Sequence, residues 1–167
     1  MSFKLSIIIG VLIAATALAE AGDPPESFVA AQFTNPPAPA LLALTGETAG
    51  EVEQILGRPY TQAQVRYWQA EGKTVWILEG RGKSQLITAG FVVEKGRMVK
   101  SEVLTYRESR GREILAPRFL QQFSGAGLRD GLELDRRIDS ITGATISVNA
   151  MKNLARLALF LDARAPN

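Results

Sequence analysis

Between Val65 and Tyr106 the chain is almost continuously strand-like, and this stretch limits the folds open to it. Four runs rich in Val, Ile, Trp, Phe and Tyr follow one another: Val65 to Gln69, Thr74 to Glu79, Gln85 to Glu94 and Arg97 to Tyr106. They are broken at Glu71-Gly72, Gly80 to Gly82 and Lys95-Gly96, where the residue types favour turns. Lys95-Gly96 separates Phe91-Val92-Val93 from Met98-Val99, so the last two runs are expected to form a hairpin. In its second strand, period-two alternation places Val99, Ser101, Val103 and Thr105 on one face.

Helical patterns lie on either side. Thr48 to Leu56 reads as a short helix, with Thr48-Ala49-Gly50-Glu51 as a capping box, an apolar face of Val52, Ile55 and Leu56, and a stop at Gly57 and Pro59. Pro117 suits a first helical turn; Phe119, Leu120 and Phe123 share a face, and Gly125 is placed to end that helix. The last helix is expected from about Ile146 to Ala163. Val148, Met151, Ala155 and Ala158 form its core stripe, with Leu154, Leu157 and Leu161 beside it and Lys152, Asn153 and Arg156 turned away. Strands flanked by helices, without strict βα alternation, give an α+β class: an antiparallel sheet with flanking helices. Trp68 and Trp76 are read as core aromatics, the alternative being a stack on a cofactor ring.

The first residues read as an address. Lys4 precedes the apolar run Leu5 to Ala15, and Ala17-Leu18-Ala19 is an A-x-A cleavage site before Glu20. Residues 1–19 are therefore expected to be a signal peptide directing the chain to the periplasm, the alternative being a retained membrane anchor. Residues 20–45 form a Pro/Ala-rich lead-in, in which Pro24, Pro25, Pro36, Pro37 and Pro39 argue against a regular helix. It is either an extended segment packed on the domain through Phe28 and Phe33 or a disordered linker. Residues 46–167 are the domain itself.

The chain has no Cys and no His. This excludes disulfides, Cys/His zinc sites, haem attached through C-x-x-C-H, and Ser-His-Asp or Cys-His catalysis. No catalytic residue and no metal ligand set is assigned. Without Lys4 the chain has 18 basic and 17 acidic residues, scattered along the sequence, which is no footprint for nucleic acid. Redox activity, if any, must come from a bound cofactor.

The segment Asp139-Ser140-Ile141-Thr142-Gly143-Ala144-Thr145-Ile146-Ser147 is a hydroxyl-rich turn that delivers the chain into the last helix. Two readings of it stand. Thr142 or Thr145 is a helix N-cap. Alternatively, the unpartnered N–H groups and the positive end of the helix dipole receive a phosphate, with Gly143 allowing close approach and Thr145 offering a hydroxyl there.

This segment resembles the flavinylation motif D-x-x-(S/T)-G-A-(T/S) of the FMN-binding domain family, which includes subunits C and G of the sodium-pumping NADH:quinone oxidoreductase and its Rnf relatives. Asp139, Thr142, Gly143, Ala144 and Thr145 match it. The resemblance extends over about Ser84 to Leu161, through the hairpin Gly90 to Tyr106, the loop Arg107-Glu108-Ser109-Arg110-Gly111, and Phe119 to Gly125. It implies FMN held covalently by a phosphoester on Thr145. Thr142 and Ser147 support the loop or serve as fallback acceptors. Asp139 serves loop geometry or the attaching enzyme, and Glu108 and Gly111 lie near the isoalloxazine ring. It also implies attachment by a magnesium-dependent flavin transferase that uses FAD and acts after export.

The chain has no G-x-G-x-x-G motif of its own. The expected function is therefore that of an exported flavoprotein passing electrons between redox partner proteins, soluble or membrane-bound. The alternatives are a flavin-dependent reductase of a small acceptor, or a non-redox exported binding module in which the Thr-Gly-Ala-Thr turn is only a helix cap.

Overall fold

The computed structural model describes residues 24–166. The expected signal peptide therefore lies outside the described residues. All four strand-like runs are strands, and the last two form the expected hairpin; the others also pair each with its neighbour in sequence: β2 (Gln64–Ala70), β3 (Lys73–Arg81), β4 (Leu86–Glu94) and β5 (Arg97–Tyr106). A further strand, β1 (Ala40–Ala43), adds to the free edge of β2, giving an antiparallel sheet in the order β1-β2-β3-β4-β5. β1 falls inside the Pro-rich lead-in and follows Pro39 directly, as an edge strand can. Its Ala-Leu-Leu-Ala sequence carries no alternation, which is why the hydrophobic pattern does not announce it.

β4 is buried on both faces from Ile87 to Val93. On one face lies the long helix α4 (Thr145–Asp162), which packs across β3 and β4. Its stripe is the predicted one: Val148, Met151, Leu154, Ala155, Leu157, Ala158 and Leu161 are all buried, and Lys152, Asn153 and Arg156 are not. Trp76 is fully buried under this layer, stacked on Tyr67 with ring centroids 4.8 Å apart.

The other face is covered by the lead-in, and here the proline argument fails. α1 (Pro24–Ala30) is a helix because Pro24 and Pro25 occupy its first turn, where no backbone N–H is needed. Phe28, Val29 and Phe33 are buried against Val75 and Val92. The Phe28 ring lies directly over Gly90, where a Cβ atom would come within 2.5 Å of it.

Three local expectations are corrected. α2 spans Gly46–Leu56 and starts from Thr45, not Thr48, with no side-chain cap; the Thr48 N–H donates to the Thr45 carbonyl. Its apolar face and its end at Gly57 are as expected. The β4–β5 ladder carries irregularities between Thr88 and Ala89 and between Val92 and Val93. They break the alternation of β5, so that Met98, Val103 and Tyr106 join the main core while Val99 stands 49 % exposed. Gly125 does not cap the short helix α3 (Pro117–Leu120); its N–H donates to the Met98 carbonyl and pins the following loop along β5.

Candidate functional site

The C-terminal ends of β3 and β5 lie at the same end of the sheet, because β4 pairs with both: Arg81 faces Leu86, and Ile87 faces Tyr106. Two loops therefore meet there, residues 82–85 after β3 and residues 107–111 after β5. Glu108 joins them. Its carboxylate Oε1 accepts the N–H groups of Ser84 (2.7 Å) and Gln85 (3.0 Å). These amides, Gln85 first, hold the carboxyl below the usual carboxylate range against the opposing effect of burial.

The third wall is the start of α4. The turn Ile141–Ala144 closes with the Ala144 N–H on the Ile141 carbonyl, and Gly143 takes φ +83° within it. Ala144 is the residue that precedes the helix, and no side chain caps it. The simple reading of Thr142 or Thr145 as an N-cap is thus not what the geometry shows. Thr145 is the first helical residue and is exposed. The N–H groups of Thr145, Ile146 and Ser147 belong to the first turn, which has no intrahelical acceptors to offer them.

Between these walls is a cleft of about 370 Å3, lined by Lys83, Ser84, Glu108, Ser109, Arg110 and residues Gly143 to Ser147. This is the lower part of the range usual for small-molecule sites. Uncapped helix N–H groups, the dipole of an 18-residue helix and the side chains of Lys83 and Arg110 all favour an anion at this place. Ile146, 49 % exposed, supplies an apolar surface beside Thr145. A phosphate-bearing group with an apolar portion fits this donor set.

Among the residues expected in a site, Gly143, Ala144, Thr145 and Glu108 are brought together around the cleft. Gly111 lies just behind it. Its φ is +84°, and a Cβ there would come within 2.7 Å of the Tyr106 hydroxyl and 3.2 Å of Ser147 Oγ. Thr142 is exposed in the turn and does not line the cleft. Asp139 is also outside it. Its backbone N–H donates to Gln122 Oε1 (2.8 Å), and its exposed carboxylate lies 3.8 Å from Arg137. Trp68 is away from the cleft, lining a larger groove near the other sheet face.

Sequence reasoning did not single out Lys83, Ser84 and Arg110, or Tyr106. The first two belong to a stretch legible only as a strand break, and nothing local signals that it meets residues 107–111. Tyr106 donates to the Arg110 carbonyl and meets Ser147 Oγ at 3.0 Å, tying the loop to α4.

Compared with known proteins, the chain matches the family described as FMN-binding domain over residues 82–159. That span runs from the loop at the cleft's mouth to the penultimate turn of α4 and contains every residue lining the cleft. No curated protein matches the chain. Residues 82–159 belong to the FMN-binding domain family, and the protein is a flavin-binding one built on an α+β fold.

Proposed function

We propose that the protein is an exported electron carrier that holds FMN through a phosphoester to Thr145. The observation that carries this reading is the position of Thr145: an exposed hydroxyl on the first residue of an uncapped 18-residue helix, within a cleft that two cations also line. Attachment requires the Thr145 Oγ1–H bond to give way to an O–P bond, with the proton taken up by the attaching enzyme and AMP leaving from an FAD donor. An exposed Thr145 is open to such an enzyme. The diester that results keeps one negative charge, which the first-turn N–H groups, Lys83 and Arg110 are positioned to stabilise.

Bound FMN supplies the redox chemistry. The chain's part is to hold the phosphate, present Ile146 to the ring system and close the cleft with the 82–85 and 107–111 loops. No dinucleotide fingerprint accompanies the site, which supports a carrier fed by partner proteins over a dehydrogenase that takes NADH directly. Export rests on the signal-like residues 1–19.

The test is co-expression with a flavin transferase, followed by intact mass and in-gel flavin fluorescence after denaturation. One FMN per chain is expected, lost in Thr145→Ala and partly kept in Thr145→Ser. Covalent flavin on Thr145→Ala would refute the assignment of the acceptor. Rapid reduction of the purified holoprotein by NADH alone would refute the carrier role.

A further inference from the structure

The basic residues are scattered in sequence, but the topology gathers five of them at one end of the sheet. Arg81 and Lys83 come from the end of β3 and its loop; Arg107 and Arg110 come from the loop after β5, and Arg112 opens the 3-10 turn that follows it. All five side chains are exposed, and none is paired with an acid among the described residues. Elsewhere in the described chain some exposed cations find acids, as in Arg97–Asp135, Lys100–Glu102 and Arg164–Glu51, and those that do not, such as Arg118 and Arg129, stand apart from this end of the sheet. Three acids lie among the five, one of them Glu79, which accepts from the Thr88 hydroxyl and shares a groove with Arg107. Glu108 turns its carboxylate onto the 84–85 amides, which leaves Glu113 as the outward one. Two exposed apolar side chains flank the cations: Ile146 in the cleft and Leu86, 43 % exposed, at the start of β4. Apolar centres within a charged rim are the pattern of a transient docking surface.

We infer that this end of the sheet is the docking surface for an acidic redox protein, which approaches the cleft over the 82–85 and 107–111 loops. The inference rests on the proposed function, because it is the cofactor in the cleft that gives a redox partner reason to dock here. Like-signed charge around a cleft steers an oppositely charged partner and raises its association rate in a salt-dependent way. A protein partner is favoured over an anionic membrane because the charges stand on two short loops and a strand end, Lys83 and Arg110 in the cleft and Arg107 on the groove of the other sheet face. They do not lie along an amphipathic helix with a continuous apolar face.

The experiment measures association of the flavinylated chain with two immobilised probes, an acidic plant-type [2Fe–2S] ferredoxin and basic cytochrome c. The acidic probe is expected to bind. Its association rate should fall roughly tenfold as ionic strength rises from about 0.02 to 0.2 M. The variant Arg81→Glu/Arg107→Glu should lower that rate roughly tenfold at low salt. Lys95→Glu/Arg129→Glu, with the same change in net charge away from these loops, should lower it far less. Flavin content, read by in-gel fluorescence, should be the same in both variants. Equal losses in the two variants would overturn the inference, because net charge alone would then explain them. So would equal binding of cytochrome c, or binding to anionic phospholipid vesicles that Arg81→Glu/Arg107→Glu abolishes while ferredoxin binding persists. The same measurement on chain lacking flavin separates the two conclusions. Missing flavin in the wild type counts against the proposed function, and a missing charge effect counts against the docking surface alone.

Discussion

Tyr106 and Ser147 meet hydroxyl to hydroxyl, 3.0 Å apart, across the gap between the end of β5 and the first turn of α4. Tyr106 has one proton, and it goes to the Arg110 carbonyl. Ser147 must therefore be the donor in its bond to Tyr106. That makes the buried Ser147 hydroxyl a structural group with its proton engaged, and a poor competitor to the exposed Thr145, the proposed flavin acceptor. Tyr106→Phe removes both bonds and is expected to cost about 1–2 kcal/mol in thermal or denaturant unfolding. Ser147→Ala should cost less and keep its covalent flavin after transferase co-expression. Loss of flavin in Ser147→Ala with the fold intact would move the acceptor to Ser147.

Gly111 is enclosed by the same pair. With φ at +84° and a Cβ position 2.7 Å from the Tyr106 hydroxyl, Gly111→Ala combines backbone strain with a clash. A destabilisation of about 1–3 kcal/mol is expected from equilibrium unfolding. A neutral result would show that the loop shifts freely and does not form a firm wall.

Glu108 is expected to act through the 82–85 loop. Glu108→Ala takes the acceptor from the Ser84 and Gln85 amides, so their hydrogen exchange should speed up while exchange in β4 stays the same. Its carboxyl is held low, so the ionised form is favoured by folding. The contribution is present above the ordinary carboxylate pKa and is lost as the pH falls through the lowered value. The wild-type loop should thus loosen only under clearly acidic conditions. Unchanged exchange in Glu108→Ala would rule out the bracing role.

Asp162 has the opposite sign. Burial pushes its carboxyl up, only partly offset by the Thr74 hydroxyl that donates to it at 2.5 Å. A raised value means that folding favours the protonated form. That stability is complete below the unfolded pKa and is lost as the pH rises through the folded one. At neutral pH the charge also lies at the C-terminal end of α4, the unfavourable end of the dipole. Asp162→Asn keeps an acceptor for Thr74 and removes the charge. It should stabilise the protein at pH 7 by a few tenths to about 1 kcal/mol, with the gain vanishing in acid. Calorimetry at the two pH values decides this, and a less stable Asn variant at pH 7 would contradict it.

The elements that could be read from the sequence are those whose signals are local. Alternation and glycine breaks located β2 to β5, and the 3.6-residue stripe located α4 almost to the residue. The Asp139–Thr145 motif located one wall of the cleft. What the sequence hid depended on contacts between distant segments. β1 exists because β2 offers a free edge, and α1 forms where its prolines fall in a first turn. The bulges in β5 move Val99 and Thr105 off a face that simple counting gave them. The other two walls come from loops more than twenty residues apart in sequence, joined by Glu108. The charge at the cleft's mouth was hidden for the same reason, since counting along the chain cannot see which loops β4 brings together.

The seat of Phe28 on Gly90 is expected to set an order of events in folding. The aromatic ring and its site lie more than sixty residues apart in the chain, and the site is complete only when β3, β4 and β5 have paired. The hairpins close short loops and form early, whereas α1 must wait for a finished surface before it can dock. Interactions absent from the folding transition state change the unfolding rate and leave the folding rate nearly unaltered. Phe28→Ala should therefore steepen the loss of the native state without delaying its arrival, and the amides of α1 should be among the first to exchange when the molecule begins to open.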